Sequence, residues 1–285
     1  MSEHLNKVYL EDCIKTMNDL PEGIVDLTVT SPPYDDAREY NNLIKGMETD
    51  YNGYSFPFEE IAQGLYRVTK KGGILVWVVG DMVHNGGETL NSFRQALYFQ
   101  SLGFKMHDTM IYEKNGSSFP ARRDGNRYSQ IFEYMFVFSK DRKPNTANLI
   151  CDKKNKWAGW QPWGSNNEST MRTKDGKLKK RTQKPTPDYS PRNNVWRYNT
   201  GAGYTTKDKY AFKHPAMFPE KLVEDHILSW TKEGDVVYDP MAGAGTTPKM
   251  AVLHNRNWIA TEISEEYVEI IHKRIQDVQS KLFSV

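Results

Sequence analysis

The chain has 285 residues, 38% hydrophobic and 12% aromatic, with 38 Lys and Arg against 36 Asp and Glu for a net charge of +2. That length and apolar content can bury a substantial core, so one large domain carrying an insertion is expected and disorder is excluded as the default. No run approaches the roughly 18 apolar residues of a membrane span, and residues 1–7 lack the apolar stretch of a signal peptide, so a cytoplasmic protein with no membrane partner is expected.

In chain order, residues 24–30 (IVDLTVT) read as a strand that ends at Ser31-Pro32-Pro33-Tyr34, because two prolines terminate both a ladder and a helix. Residues 58–68 carry apolar side chains at helical spacing, Lys71-Gly72-Gly73 reads as the stop, and residues 74–79 (ILVWVV) read as a buried strand. A helix over 90–102 and strands over 105–113 and 131–139 follow. From 140 to about 213 the periodicity fades into Lys, Asn, Gly, Pro and Trp, including Trp157, Trp160, Trp163 and Trp196. Then a helix over 219–230, a strand over 235–238, a helix over 246–254, a strand over 258–261 and a helix over 265–281 resume the pattern. The alternation predicts an α/β fold with a largely parallel sheet, without internal repeats. Residues 1–140 and 214–285 form its two parts, and 141–213 is an inserted module.

The charge is unevenly spread. Residues 141–213 hold 17 Lys and Arg against 6 Asp and Glu, a net +11, and the rest of the chain holds 21 against 30, a net −9. Such a segment is the footprint of a polyanion partner, since each cation near a phosphate releases condensed counterions. A solvated linker is the bland alternative. The two cysteines, Cys13 and Cys151, stand far apart without His or Cys at ligand spacing, so neither a disulfide framework nor a metal site is supported.

The strand over 235–238 runs into Asp239-Pro240-Met241-Ala242-Gly243-Ala244-Gly245-Thr246-Thr247, a small-residue turn that opens a helix and would present backbone N–H groups to a ligand. No Gly-Lys-Ser/Thr follows it, and Pro248 occupies the place of a third glycine, so neither an ATP nor an NAD loop is favoured. Glu262, at the tip of the next strand, is positioned to accept hydrogen bonds from ribose hydroxyls, which fits a cofactor containing adenosine. A tight turn plus a surface Glu is the alternative.

Thr30-Ser31-Pro32-Pro33-Tyr34 resembles the catalytic motif of the amino-group DNA methyltransferases, in which Asp, Asn or Ser comes first and an aromatic residue last. A proline-rich turn or a polyproline ligand is the alternative, but a loop that directly extends a hydrophobic strand occupies the usual position of sites in open α/β sheets. The chemistry accounts for the residue types. An exocyclic amino nitrogen is a poor nucleophile because its lone pair is delocalised, so two fixed acceptors must hold its hydrogens in directions that favour sp3 character. Ser31 Oγ and the Pro32 carbonyl would be those acceptors, Pro33 would stiffen the turn, and Tyr34 would stack on a base flipped from the duplex. Carbon-5 chemistry is unsupported, because neither Cys stands beside a Pro.

The resemblance extends over most of the chain outside the basic segment, and the motif order is that of the β group: catalytic motif first, recognition segment in the middle, glycine loop last. Asp12-Cys13, Leu20-Pro21 and Val25-Asp26-Leu27 look like the family's opening strand. Residues 65–77, 112–115 and 128–140 resemble the motifs that follow, and residues 214–222 (HPAMFPEKL) are similar to the segment before the glycine strand. The resemblance implies a Rossmann-like fold that binds S-adenosyl-L-methionine. Asp239, Met241, Ala242, Gly243, Gly245 and Thr246 would surround its methionine moiety, Glu262 would hold the ribose, Asp12 would lie close to the adenine, and Phe218 and Lys221 would close the pocket. Met241 stands where a bulky aromatic is frequent and Ala244 where Ser is common, so the pocket is expected to be similar but not identical.

A leading Ser is typical of cytosine N4 enzymes and a leading Asp of adenine N6 enzymes, so cytosine N4 is favoured with adenine N6 as the alternative. Double-stranded DNA is the implied partner, in a restriction-modification or phage setting that admits a homodimer and a cognate endonuclease. Competing readings are another methyl acceptor on the same fold, or an inactive DNA-binding protein. Asp35, Asp36, Arg38 and Tyr40 would contact the flipped base or the orphaned strand, with a surface turn of ion pairs as the alternative. Arg122, Arg123 and Arg127, among glycines and prolines, would contact phosphates. Within the basic segment, Lys179, Lys180 and Arg181 lie in the clearest phosphate-binding stretch, KLKKRTQK. Trp157, Trp160 and Trp163, at three-residue intervals, would stack on nucleotides or form the module's own core, and the core is expected.

Overall fold

The computed structural model describes residues 2–32, 56–84, 86–116, 126–160, 168–182, 184–201 and 203–282. The chain forms two compact units, one of Met1–Asn148 with Asn194–Val285 and one of Leu149–Asn193.

The larger unit is built on eight strands: β1 Lys7–Leu10, β2 Val25–Thr30, β3 Thr69–Val79, β4 Phe104–Lys114, β5 Phe132–Lys140, β6 Val195–Tyr198, β7 Val236–Asp239 and β8 Asn257–Glu262. They are ordered β1-β8-β7-β2-β3-β5-β4-β6. All neighbours are parallel except β5, which runs antiparallel to β3 and β4. The helices are α1 Cys13–Asp19, α2 Phe58–Val68, α3 Asn91–Ser101, α4 Glu220–Trp230, α5 Thr246–Leu253 and α6 Glu265–Leu282. This is the predicted largely parallel α/β sheet, with β5 as its antiparallel strand.

Each face of the sheet is covered for a reason visible in the side-chain pattern. Phe58, Ile61, Ala62, Leu65 and Val68 form one buried stripe on α2. They meet Leu75, Trp77 and Val79, the alternate residues of β3, together with Phe99 from α3 and Phe136 and Phe138 from β5. Phe58, Trp77 and Phe99 pack at ring-centroid distances of 5.1–5.9 Å, and the Trp77 indole donates to Gln95 Oε1 at 2.8 Å. Met135, between Phe136 and Tyr134 on β5, points to the other face and touches His226 of α4. There α4 packs on α5 and α5 on α6. Burial pushes the His226 imidazole down to about 3, so the ring is neutral, with Nδ1 accepting from Trp230 Nε1 at 3.1 Å.

Several expectations need correction. Lys71-Gly72-Gly73 does not stop α2, because β3 already begins at Thr69. The helix ends where Thr69 turns extended and its Oγ1 bonds the Leu65 carbonyl at 2.6 Å. The glycines instead serve a register shift against β2: Gly72 has φ +75°, and a Cβ on Gly73 would sit 2.9 Å from the Lys70 carbonyl. The N-terminal residues supply two strands with α1 between them rather than one opening strand, since β1 pairs with β8 at the sheet edge.

The smaller unit is narrower than the 141–213 segment marked out by charge. Residues 194–213 belong to the larger unit, where β6 extends the sheet beside β4. Trp196 is buried there against the His226 ring, 4.8 Å between centroids, and Tyr198 donates to Asp225 Oδ2 at 2.7 Å. The smaller unit consists of two antiparallel ribbons, Glu168–Arg172 with Leu178–Thr182 and Lys153–Lys154 with Tyr189–Ser190. None of its described residues is buried. Trp157 and Trp160 are 65% and 47% exposed, so they do not form the expected core, and Trp163 lies outside the described residues. Among the described residues no helix is long and apolar enough to cross a membrane.

Candidate active site

Four adjacent strands, β1, β8, β7 and β2, end on the same side of the sheet. Their tips carry in turn Asp12, Glu262, Asp239 and Ser31. Parallel pairing sets their levels: Leu10 faces Glu262, and Asp239 faces Ala260. Asp12, just past β1, caps α1 by accepting from Ile14 N at 2.7 Å. Ser31 is half-buried and Pro32 buried directly after Thr30.

The seam between β2 and β7 joins the two motifs. Thr30 Oγ1 donates to Asp239 Oδ1 at 2.8 Å, Met241 N donates to the same oxygen at 3.2 Å, and Thr247 Oγ1 donates to the Val29 carbonyl at 3.1 Å. Asp239 is 1% exposed. Burial pushes its carboxyl up to about 6, against the hydrogen bonds from Thr30, Thr247 and the Met241 amide, and the nearby Glu262 charge adds to the rise. Glu262 is also buried, and burial raises its proton affinity while three amides oppose the rise. Its Oε2 accepts from Gly243 N at 2.8 Å, and Oε1 accepts from Ile263 N and Ser264 N at 2.9 Å each.

The glycine turn differs from the expected amide cradle. Met241 N is held by Asp239, Ala242 N by the Thr261 carbonyl, Gly243 N by Glu262 and Gly245 N by the Ala242 carbonyl. These four donors are spent inside the protein and are closed to a ligand. The glycines answer to packing instead. Gly243 has φ +50°, and a Cβ there would lie 2.6 Å from His214 Nε2; Gly245 has φ +74°, and a Cβ there would lie 2.7 Å from Ile271 Cγ1. The His214 ring is held by Ala216 N, which donates to Nδ1 at 3.2 Å, and by the Tyr267 ring edge at 4.7 Å.

A charged network absent from the sequence reading supports this turn. Arg274 of α6, fully buried, donates to the Ala244 carbonyl at 2.7 Å, to Thr246 Oγ1 at 3.3 Å, to Asp208 Oδ2 at 2.9 Å and to the Glu220 carboxylate. Lys249 of α5 donates to the same two carboxylates at 2.7 Å each. The available signal was the position of Arg274 on the apolar face of α6, in step with Tyr267, Ile270, Ile271 and Val278.

Lys221 pairs with Glu224 and Asp225 on its own helix at 2.6 and 2.8 Å, and Phe218 is half-buried just before α4. Arg127 is exposed and donates to the Gly86 carbonyl. Lys179 and Lys180 are exposed on a ribbon of the smaller unit, and Arg181 continues that strand opposite Ser169. Pro33, Tyr34, Asp35, Asp36, Arg38, Tyr40, Arg122 and Arg123 lie outside the described residues. Burial, with the charges of Asp12 and Glu262, pushes the Cys13 thiol up to about 12, which suits a packing residue rather than a nucleophile. Among the described residues no group of three or more His, Cys, Asp or Glu is placed to hold a metal ion.

The α/β sheet and its acidic strand-end site define a class, and comparison with known proteins gives its family. A DNA methylase family profile matches residues 25–273, and the chain belongs to that family. It is 56% identical over 254 residues to a protein of Bacillus amyloliquefaciens named orphan methyltransferase M.BamHII, covering 89% of each chain. Among solved structures it is similar to the PvuII DNA methyltransferase, described as cytosine-N4-specific, with 22% identity and a TM-score of 0.66 over 98% of this chain and 92% of that one. It is also similar to a DNA modification methylase of Thermus thermophilus solved with S-adenosyl-L-methionine, with 20% identity and a TM-score of 0.59 over 95% of each chain. These two structures share its fold.

Two outcomes follow from this geometry. Arg274→Met leaves two largely buried carboxylates with Lys249 as their one shared cation and is expected to cost about 3 to 5 kcal/mol, read from urea unfolding; a loss below about 1 kcal/mol would place the network among weak surface pairs. Asp239 holds its proton more tightly folded than unfolded, so that stabilisation is complete below the ordinary value of 3.8 and is lost as pH rises through about 6. Asp239→Asn is therefore expected to gain on the parent by on the order of 3 kcal/mol between pH 4 and 7, and a pH-independent difference would show that the carboxyl titrates normally.

Proposed function

We propose that this DNA methyltransferase transfers a methyl group from S-adenosylmethionine to an exocyclic amino nitrogen of a base, with cytosine N4 favoured over adenine N6. The observation that carries this reading is the Thr30–Asp239 bond, which sets the Ser31 end of β2 beside the glycine turn at the end of β7. A methyl acceptor at one motif and a donor at the other would then be neighbours.

The residues present fit the cofactor. Three carboxylates, Asp12, Asp239 and Glu262, stand at adjacent strand tips, while the Met241, Ala242, Gly243 and Gly245 amides are bonded within the protein. That balance suits a ligand bearing positive charge and hydroxyl donors, as a sulfonium nucleoside does, and disfavours a phosphate. Glu262 is held rigidly by three amides and retains acceptor capacity on Oε2 for a ribose hydroxyl. Asp239 and the turn from Met241 to Thr246 would hold the methionine end, with Phe218 and Lys221 at its margin and Asp12 toward the adenine. When bound, S-adenosylmethionine supplies the electrophilic methyl group.

The chain's own contribution is to make the amino nitrogen a better nucleophile. Ser31 Oγ and the Pro32 carbonyl would accept the two amino hydrogens and draw the lone pair out of conjugation, so that as nitrogen takes the methyl released from sulfur one of those hydrogens would pass to solvent as a proton. Tyr34, by its type, would stack on the flipped base. The leading Ser of the loop supports cytosine. The smaller unit would recognise the DNA, with Lys179, Lys180 and Arg181 on phosphates.

The direct experiment incubates the protein with mixed-sequence duplex DNA and labelled S-adenosylmethionine, followed by nucleoside digestion and mass spectrometry. N4-methylcytosine is the expected product. N6-methyladenine would keep the mechanism and overturn the base, and cofactor binding with no methylated nucleoside would favour an inactive DNA binder. Ser31→Ala should lower kcat by about 30- to 1,000-fold, about 2 to 4 kcal/mol, with cofactor affinity nearly unchanged; a parent-like rate would remove Ser31 from the mechanism.

A further inference from the structure

The smaller unit, Leu149–Asn193, holds 11 Lys and Arg against 4 Asp and Glu, a net +7, while the rest of the chain holds 27 against 32, a net −5. It also turns its largest apolar side chains to solvent: Trp157 is 65% and Trp160 47% exposed in a unit with no buried described residue. An indole offers some 150–250 Å² of surface to bury. Leaving two of them outside therefore forgoes the largest hydrophobic gain open to a unit this small.

The backbone keeps them there. Trp160 N bonds the Trp157 carbonyl at 3.0 Å, closing a turn in which Gly159 has φ +76°. The opposite segment grips this turn through Gly159 N to the Thr186 carbonyl at 2.9 Å and Thr186 N to the Trp160 carbonyl at 3.0 Å. Below it, Asn155 N bonds the Asp188 carbonyl and Asn155 Nδ2 the Pro187 carbonyl, both at 2.8 Å. The indoles thus project from a pinned turn rather than from a slack loop. Exposed lysines flank the turn in the chain, with Lys153, Lys154 and Lys156 ahead of it and Lys184 two residues before Thr186, and Lys156 Nζ lies 5.6 Å from the Trp157 ring centre.

We infer that the Trp157–Trp160 turn is a DNA-contacting surface on which the indoles stack against base faces exposed when a nucleotide leaves the helix, while the neighbouring lysines engage phosphates. Nucleic acid is the partner that offers both flat apolar faces and dense negative charge. A second copy of the chain would also cover the indoles, but it would bring another net +7 unit toward the first. The inference rests on the proposed reaction only in requiring unstacked bases.

The test measures binding of the full chain to a labelled mixed-sequence duplex containing one abasic site, across a range of salt. Trp157→Ala with Trp160→Ala is expected to weaken binding by roughly tenfold or more. The slope of log affinity against log salt should stay unchanged, because no phosphate contact is lost. Trp157→Phe with Trp160→Phe should restore most of the affinity, and both double variants should keep the parent's melting temperature and cofactor affinity. Unchanged DNA affinity in the Ala variant would overturn the inference. So would a fall in molecular mass by light scattering in the Ala variant, which would assign the surface to a second copy. Weakened binding together with a parent that methylates no nucleoside would uphold the surface while the proposed reaction failed.

Discussion

The seam between β2 and β7 is the constraint on which the rest of the site depends. Thr30 and Asp239 are 209 residues apart, and their buried 2.8 Å hydrogen bond closes almost the whole chain on itself. Thr247 repeats the link from the helix side by bonding the Val29 carbonyl. Neither the Ser31 loop nor the glycine turn has a neighbour of the other kind until these two strands lie side by side. A parallel sheet makes such a junction natural, because every strand delivers its following loop to the same edge, and sites in open α/β sheets collect there.

Electrostatics then narrows the ligand. At most helix-opening glycine turns, free amides invite an anion. Here the amides of Met241, Ala242, Gly243 and Gly245 are consumed internally, and three of the four strand tips carry carboxylates. The arrangement is costly for the fold, as the raised proton affinities of Asp239 and Glu262 record. Part of the support comes from behind the turn, where Arg274 and Lys249 neutralise Asp208 and Glu220 and Arg274 also fixes the Ala244 carbonyl. The network balances two positive against two negative charges, so it can hold the backbone without cancelling the acidity of the site in front of it.

The two units divide the chain's charge and its apolar surface in opposite ways. The larger unit spends its aromatic residues on a packed core around Phe58, Trp77 and Phe99 and carries the acidic site. The smaller unit has short ribbons, a strong positive charge and outward indoles. Its backbone hydrogen bonds, rather than buried area, fix its turns. A unit of this composition keeps both its positive charge and its indoles on the surface.

The sequence by itself determined the α/β class, eleven of the principal elements between residues 24 and 282, and the two motifs, because apolar periodicity and the prolines and glycines that interrupt it are local properties. It missed β1 and α1 as separate elements and β6 altogether, because these are short segments whose identity depends on the sheet edge they join. It drew the inserted module too long, since charge does not mark where a chain returns to a sheet. It also placed the module's tryptophans in a core, although whether Trp157 faces inward or outward depends on how Thr186 pins the turn. Only the tertiary structure decided that the Ala242 and Gly243 amides are taken by Thr261 and Glu262, that Asp239 answers to Thr30, and that Arg274 sits beneath Ala244. Each of these is a contact between residues on different elements, and direction, burial and proton affinity exist only once such contacts have formed.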